Sequence, residues 1–289
     1  MSVCETIEIV TPKKILLNGL WFGSAKPKRA IIWVHGLGSS AFSKLDIVQK
    51  LVDKNTAVVT FNNRGHDKIS RIALAGEKKI ERMIFGGSAH EVFTDCVDDI
   101  QGAVNFVRGA GIKNIYLAGH STGCQKSVYW ASRKGNSGVK GIILLAPISD
   151  YSAEMHLKGK GKIVRADKAA RALVSRGKKH RLLPENLWPE HIDAQRFLSL
   201  YTPDSVEEIF TYAQPKKTPR IFRAVKLPIL AIFAGADEYG DRPAKDIATW
   251  FEMNANARLE TFVVSRATHS FRGREVQVAS VIKKWIKLT

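Results

Sequence analysis

Gly119-His120-Ser121-Thr122-Gly123 follows directly on the apolar run Ile115-Tyr116-Leu117-Ala118. A strand that passes into a helix within so few residues crowds its central residue, and a side chain at either flank would collide with the turn. Glycines at 119 and 123 remove those side chains. The spacing therefore predicts a strand, a sharp turn and a helix, with the Ser121 hydroxyl above the strand end and a helix N-terminus behind it. Such a pentapeptide also arises by chance, so its meaning depends on what surrounds it.

The surroundings repeat the same unit. Thr6–Val10 and Ile15–Phe22 are expected as an opening pair of strands, antiparallel if they form a hairpin. Ala30–Val34 is a short continuous apolar run, the pattern of a strand buried on both faces; Ala57–Phe61 reads as the next strand, and Ile115–Ala118 and Ile142–Leu145 as two more buried strands. Between them, Phe42–Val52, Glu91–Arg108 and Cys124–Ser132 read as helices. In the second of these, Phe93, Val97, Ile100, Val104 and Val107 recur every three to four residues. Strands alternating with helices imply a mostly parallel central sheet flanked by helices. The alternation stops after Pro147 and resumes with a strand at Ile229–Phe233, a helix at 243–253, a strand at Leu259–Val264 and a helix at 275–287. The expected organisation is a core of residues 1–147 and 227–289 with an inserted, mainly helical cap at 148–226.

Composition narrows the class. A chain of 289 residues with 45% hydrophobic and 25% charged residues is expected to be soluble and globular. No apolar run approaches the roughly 20 residues that span a bilayer, so no integral membrane segment is expected. Met1-Ser2-Val3-Cys4-Glu5 does not read as a secretory leader, and Cys4, Cys96 and Cys124 suit neither a disulfide framework nor a zinc site. A cytoplasmic protein is the expectation. The net charge is +18, and ten Lys or Arg residues fall between Lys158 and Arg181 against the single acid Asp167. Such a block attracts nucleic acid, an acidic membrane or an anionic substrate, or else it is a solvated face.

Three residue types at strand ends carry the chemistry. Ser121 follows one strand, Asp237 follows Leu230–Gly235, and His269 follows Leu259–Val264 within Ala267-Thr268-His269-Ser270-Phe271. In a parallel sheet those ends share one edge. A serine nucleophile, a histidine base and a carboxylate that orients it are the parts that acyl transfer requires. Oxyanion donors are expected from the backbone N–H groups of Leu37, in Val34-His35-Gly36-Leu37-Gly38, and of Thr122. His35, Gly36 and His120 are read as supporting residues beneath the site.

With these residues in place, the chain resembles the α/β-hydrolase superfamily along nearly its whole length. His35-Gly36 follows the third strand, Asn63-Arg64-Gly65-His66 follows the fourth, and the turn at 119–123 precedes Asp237 and His269. Phe61–Asp67 and Gly119–Gln125 are further similar to a branch that includes fungal siderophore ester hydrolases. The resemblance implies a serine esterase acting on a small-molecule ester through an acyl-enzyme. A serine at the turn argues against the epoxide hydrolases and haloalkane dehalogenases of this fold, which use a carboxylate there.

Other readings remain open at this level. The same triad serves thioesters, amides and acyl transfer. A hydrolase-like binding protein using its basic cap is the alternative from another class, although such descendants usually lose a triad member. Nucleic acid is not the expected partner. An anionic ester steered by Lys158, Lys160 and Lys162 is one substrate class the charge suggests, and a monomer and a homodimer are both compatible. Glu238 rivals Asp237 as the acid, and Asp241 is expected to cap the helix near Pro243. His66 and His90 are read as lining the cleft or lying on the surface, and Cys124 as a small core residue. Specificity is expected from 68–90 and from the cap, whose Trp188, Phe197, Leu198, Tyr201, Phe210 and Tyr212 either wall a pocket or pack the cap. No cluster shows metal-ligand spacing and no glycine-rich nucleotide motif follows a strand, so neither metal nor cofactor is expected.

Overall fold

A computed structural model describes residues 4–76, 83–135 and 137–289. The chain opens with an antiparallel hairpin, β1 (Cys4–Val10) and β2 (Leu16–Phe22). There follow β3 (Arg29–Val34), α1 (Leu45–Leu51), β4 (Thr56–Phe61), a small hairpin of β5 (Ser70–Ile72) and β6 (Ile84–Gly86), α2 (Cys96–Gly109), β7 (Asn114–His120), α3 (Thr122–Lys134) and β8 (Val139–Leu145). Helices α4 (Asp150–Lys158), α5 (Lys160–Ser175), α6 (Ala194–Tyr201) and α7 (Arg220–Ala224) then precede β9 (Ile229–Ala234), α8 (Ala244–Asn254), β10 (Leu259–Val264) and α9 (Glu275–Leu288).

The main sheet runs β1-β2-β4-β3-β7-β8-β9-β10. Strand β2 is antiparallel to β4, and every pairing from β4 to β10 is parallel. Alternate residues of the central strands feed two cores. Ala30, Ile32, Leu117, Ile142 and Leu144 face α2, α3 and α8, whereas Ile31, Trp33, Tyr116, Ile143 and Leu145 face α1 and α9. That double burial is why these strands read as unbroken apolar runs. From β3 the chain moves outward to β4, then returns to the other side of β3 as β7. The reversal leaves a crevice at the carboxyl ends of β3 and β7, where ligands bind in open α/β sheets.

The fold is an α/β-hydrolase fold, with departures from expectation at element ends. The helix expected from Glu91 begins at Cys96, after a 3-10 turn at Phe93–Asp95, because Glu91 is committed to an ion cluster and the Asp95 carbonyl accepts from Arg64. Helix α3 begins at Thr122, two residues before the expected start, since its first turn is small and polar. The β5–β6 hairpin was not legible: three-residue strands carry no periodicity. Within the excursion 68–90, residues 77–82 lie outside the described residues.

Between β8 and β9 the chain does two different things. Ile163, Ala166, Ala170, Leu183, Trp188, Ile192, Phe197, Leu200 and Tyr201 form a separate apolar cluster. Ile209, Phe210, Tyr212, Phe222 and Val225 instead join the main core against Phe251. The basic residues of α5 lie opposite its buried Ile163, Ala166 and Ala170, with Arg165, Lys168 and Arg171 exposed.

A buried ion cluster joins these parts. The Lys126 ammonium on α3 sits 2.5 Å from Glu91 and donates to Asn63 Oδ1 at 3.2 Å. Arg196 on α6 reaches the other Glu91 oxygen at 2.8 Å and also pairs with Glu207. Burial alone would raise the Glu91 pKa, but Lys126 and Arg196 outweigh it and hold the carboxyl below its ordinary value. Glu91→Gln should leave Lys126 buried without its counter-charge and cost about 3–5 kcal/mol of stability. Urea denaturation checks this; a loss under about 1 kcal/mol would show that the cluster is not the anchor.

Candidate active site

Ser121 has φ 55° and ψ −128°, a left-handed conformation that few non-glycine residues adopt. The turn is held by Ser121 N–H donating to Leu145 O at 3.0 Å and by Cys124 N–H donating to Ser121 O at 2.8 Å. A Cβ at position 119 would lie 2.2 Å from Gly123 O, and one at 123 would lie 2.1 Å from Val34 O. The two flanking glycines are therefore required by close packing of the turn on itself and on β3. Cys124 is fully buried, its thiol donating to Gly119 O and Leu145 O, and burial raises its pKa well above the ordinary value. It has no accessible thiolate.

His269 follows β10 and is almost buried. Its Nδ1 lies 2.8 Å from Asp237 Oδ2, whereas Glu238 accepts from the His269 backbone N–H at 2.8 Å. The two adjacent carboxylates thus do different work, one holding the ring and the other the loop. The rings of Tyr239 and His120 flank the imidazole, with centroids at 4.9 and 5.1 Å. Ser121 and His269 line the same cavity, although Ser121 Oγ is not hydrogen-bonded to the ring. Such contacts are often long before substrate arrives.

The supporting histidines lie beneath. His35 Nδ1–H donates to Gly36 O at 2.8 Å while its Nε2 accepts from Asn63 N–H at 3.2 Å, a pattern that assigns one neutral tautomer. His120 Nε2–H donates to the His269 carbonyl at 3.0 Å. Burial lowers both pKa values to about 3; Lys126 adds to the effect at His35, and His269 and Lys44 add at His120. Gly36 lets the β3 loop approach: a Cβ there would lie 2.9 Å from Ser121 Cβ. The next amide, Leu37 N–H, and that of Thr122 at the start of α3 donate to no group among the described residues.

The cavity over Ser121 measures about 480 Å³ and is lined by Leu37, Lys44, Ile148, Asp150, Glu154, Tyr201 and Tyr239, among others. Sequence reasoning missed Lys44, Asp150, Glu154 and Tyr239. Lys44 sits in a left-handed turn before α1 rather than within a helix, and burial lowers its pKa. Tyr239 lies two residues past Asp237, where proximity to the acid was the available signal.

Several expectations are corrected. His66 Nδ1 bonds Asn63 O, and His90 turns to Asp193, so neither lines the cavity. Asp241 caps no helix; it accepts from Ser152 Oγ at 2.7 Å and from Arg242. Of the aromatic residues expected around a pocket, Tyr201 alone lines the cavity; Trp188 and Phe197 pack with it, and Phe210 and Tyr212 pack in the main core. Lys158 is paired with Glu190 at 2.5 Å and Glu154 at 3.3 Å, which neutralises it as a steering charge. Among the described residues, His90, His180 and Asp193 converge from distant positions, a grouping that no sequence spacing announced.

The sheet order and strand-end geometry together define a chain with the α/β-hydrolase fold. Residues 84–287 match the family described as protein of unknown function DUF1749, and the chain belongs to that family. Similar solved structures include DcsB in complex with its substrate analogue, at 17% identity over 99% of this chain and 98% of that one, with a TM-score of 0.67. The Pyrococcus furiosus esterase Pf2001 is 17% identical over 99% and 91%, with a TM-score of 0.61. Est1E from Butyrivibrio proteoclasticus with bound ferulic acid is 16% identical over 97% of each chain, with a TM-score of 0.63. No curated protein matches the chain. No described helix is long and apolar enough to cross a membrane.

The two depressed histidines make a pH prediction. Each is neutral in the fold down to about pH 3, whereas in the unfolded chain it protonates near 6.5. Their contribution is complete above pH 6.5 and is lost progressively as pH falls towards 3. Between pH 7 and pH 5 stability should fall by about 2 kcal/mol for each histidine. Urea midpoints that do not move over this interval would contradict the burial of neutral rings.

Proposed function

We propose that this chain is a serine hydrolase that cleaves carboxylic esters. The observation that carries the reading is the His269–Asp237 bond on the same cavity as a serine with positive φ. Ser121 Oγ attacks the ester carbonyl as its proton passes to His269. Asp237 holds the imidazolium that results, and the N–H groups of Leu37 and Thr122 receive the oxyanion. Collapse of the tetrahedral intermediate expels the alcohol, which takes the proton from His269. Water then attacks the acyl-enzyme with His269 again as base, releasing the acid and restoring Ser121. The esterases among the structural neighbours support ester chemistry. The 148–226 insertion is assigned as the cap, with Ile148, Asp150, Glu154 and Tyr201 among its contributions to the cavity wall.

The substrate the cavity favours is polar. Lys44 stands on one part of the wall and Asp150 and Glu154 on another, the latter pair with carboxyl pKa values raised by burial. This mixed lining suits an ester bearing hydrogen-bonding groups better than a uniformly anionic one, whatever the net charge of the chain.

A fluorophosphonate should label the protein at Ser121 and leave Ser121→Ala unlabelled, as located by mass spectrometry. Failure to label the wild type, with the fold intact, would sink the hydrolase reading and favour a binding role. Asp237→Asn should lower kcat for a small ester by about 10⁴, because the imidazole loses its orienting acceptor. Glu238→Gln, which alters only a backbone contact, should cost no more than about tenfold. Equal losses would mean that the acid has been assigned to the wrong residue.

A further inference from the structure

Away from the cavity, His90, His180 and Asp193 bring three donor atoms within 4.8 Å of one another. His90 Nδ1 lies 2.9 Å and His180 Nδ1 3.0 Å from the same oxygen, Asp193 Oδ2. We propose that these three residues form a binding site for a divalent transition-metal ion of the zinc type.

The backbone builds the site. Asp193 N–H donates to Ala89 O at 2.9 Å, which sets Asp193 beside His90. Gln195 N–H to Lys179 O and Ala194 N–H to Arg181 O, both 3.0 Å, straddle His180 and hold it opposite Asp193. Asp193 Oδ1 is occupied as the cap of α6, accepting from Arg196 N–H at 2.8 Å, so Oδ2 is left to both imidazoles. The Asp193 side chain is 0% exposed, and among the described residues no Lys or Arg pairs with it. Among the described residues, the ionisable partners of this buried carboxylate are two imidazoles, a donor set that a cation would complement.

The distances from Asp193 Oδ2 suit that cation. Tetrahedral zinc with ligands at about 2.0–2.1 Å spaces its donor atoms about 3.3 Å apart. The two observed nitrogen–oxygen separations would each open by about 0.3–0.4 Å. Each imidazole would bind through Nδ1 as its Nε2–H tautomer, and water would complete the coordination. Two imidazoles and one carboxylate select zinc or its transition-metal neighbours over magnesium and calcium, which prefer oxygen ligands. A bound ion would tie the loop after β6 and the connection between α5 and α6 to the first turn of α6. That helix carries Tyr201 to the cavity wall.

The test is Zn²⁺ titration of the chelator-treated full chain, followed by calorimetry and thermal melting. One equivalent should bind, and Tm should rise by about 5 °C at a hundredfold excess over Kd. His180 is 53% exposed, so His180→Gln should melt at the wild-type temperature without metal while binding Zn²⁺ at least tenfold more weakly. Asp193→Asn, which keeps a helix-capping oxygen, should abolish the Zn²⁺-dependent rise in Tm. Mg²⁺ should shift the Tm of none of the three proteins. No stoichiometric Zn²⁺ binding by the wild type, or binding by His180→Gln within threefold of it, overturns the site.

Discussion

A single buried carboxylate, Glu91, holds the molecule's parts in register. It is shared between Lys126, on the helix that starts at the strained serine, and Arg196, on the helix that reaches over the cavity. Burying four charges is expensive, and an apolar cluster of similar shape could be as stable. What the ion cluster adds is direction. Each group must meet its partner or remain charged in a medium that cannot solvate it, so the relative placement of α3, α6 and the 87–91 loop is narrowly defined. Asn63 and Ser199 accept or donate at its edges, which carries the same constraint to the loop after β4 and along α6.

The strained turn depends on that rigidity. A left-handed serine persists only where its surroundings leave no alternative. Here the Leu145 carbonyl, the Val34 backbone and the buried Cys124 close the space on three sides. The same turn lies beside the point where the strand order reverses, which opens the crevice that the β3 loop, the β7 turn and His269 share. Neutral histidines beneath fix the backbone without adding charge to the site. Burial keeps them neutral, and that neutrality lets His35 accept from Asn63 and donate to Gly36 together.

The net charge of +18 does not describe the cavity. Most of the basic block lies on the outward face of α5, or is spent in pairs such as Arg171 with Asp167 and Lys158 with Glu190. Composition sums over a surface and cannot distinguish a solvated face from a wall. Lys44 precedes α1, whereas Asp150 and Glu154 lie one turn apart on α4, so the meeting of Lys44 with that pair around Ser121 has no linear signature.

Local rules settled much of this protein before any long-range contact was known. Largely apolar runs of four or five residues, bounded by turns, marked the central strands because both of their faces are buried. Gly119 and Gly123 marked the sharp turn because its crowding is a matter of a few bonded neighbours. Asp237 and His269 stood out because parallel strands must end at one edge. Tertiary structure alone decided the rest: that Asp237 and not Glu238 meets the imidazole, that Asp241 turns to Ser152, and that Phe210 and Tyr212 join the main core. It also decided that His90, His180 and Asp193 share one oxygen. These outcomes turn on which groups lose water together. That depends on contacts between residues far apart in the chain, and spacing along the sequence carries no record of them.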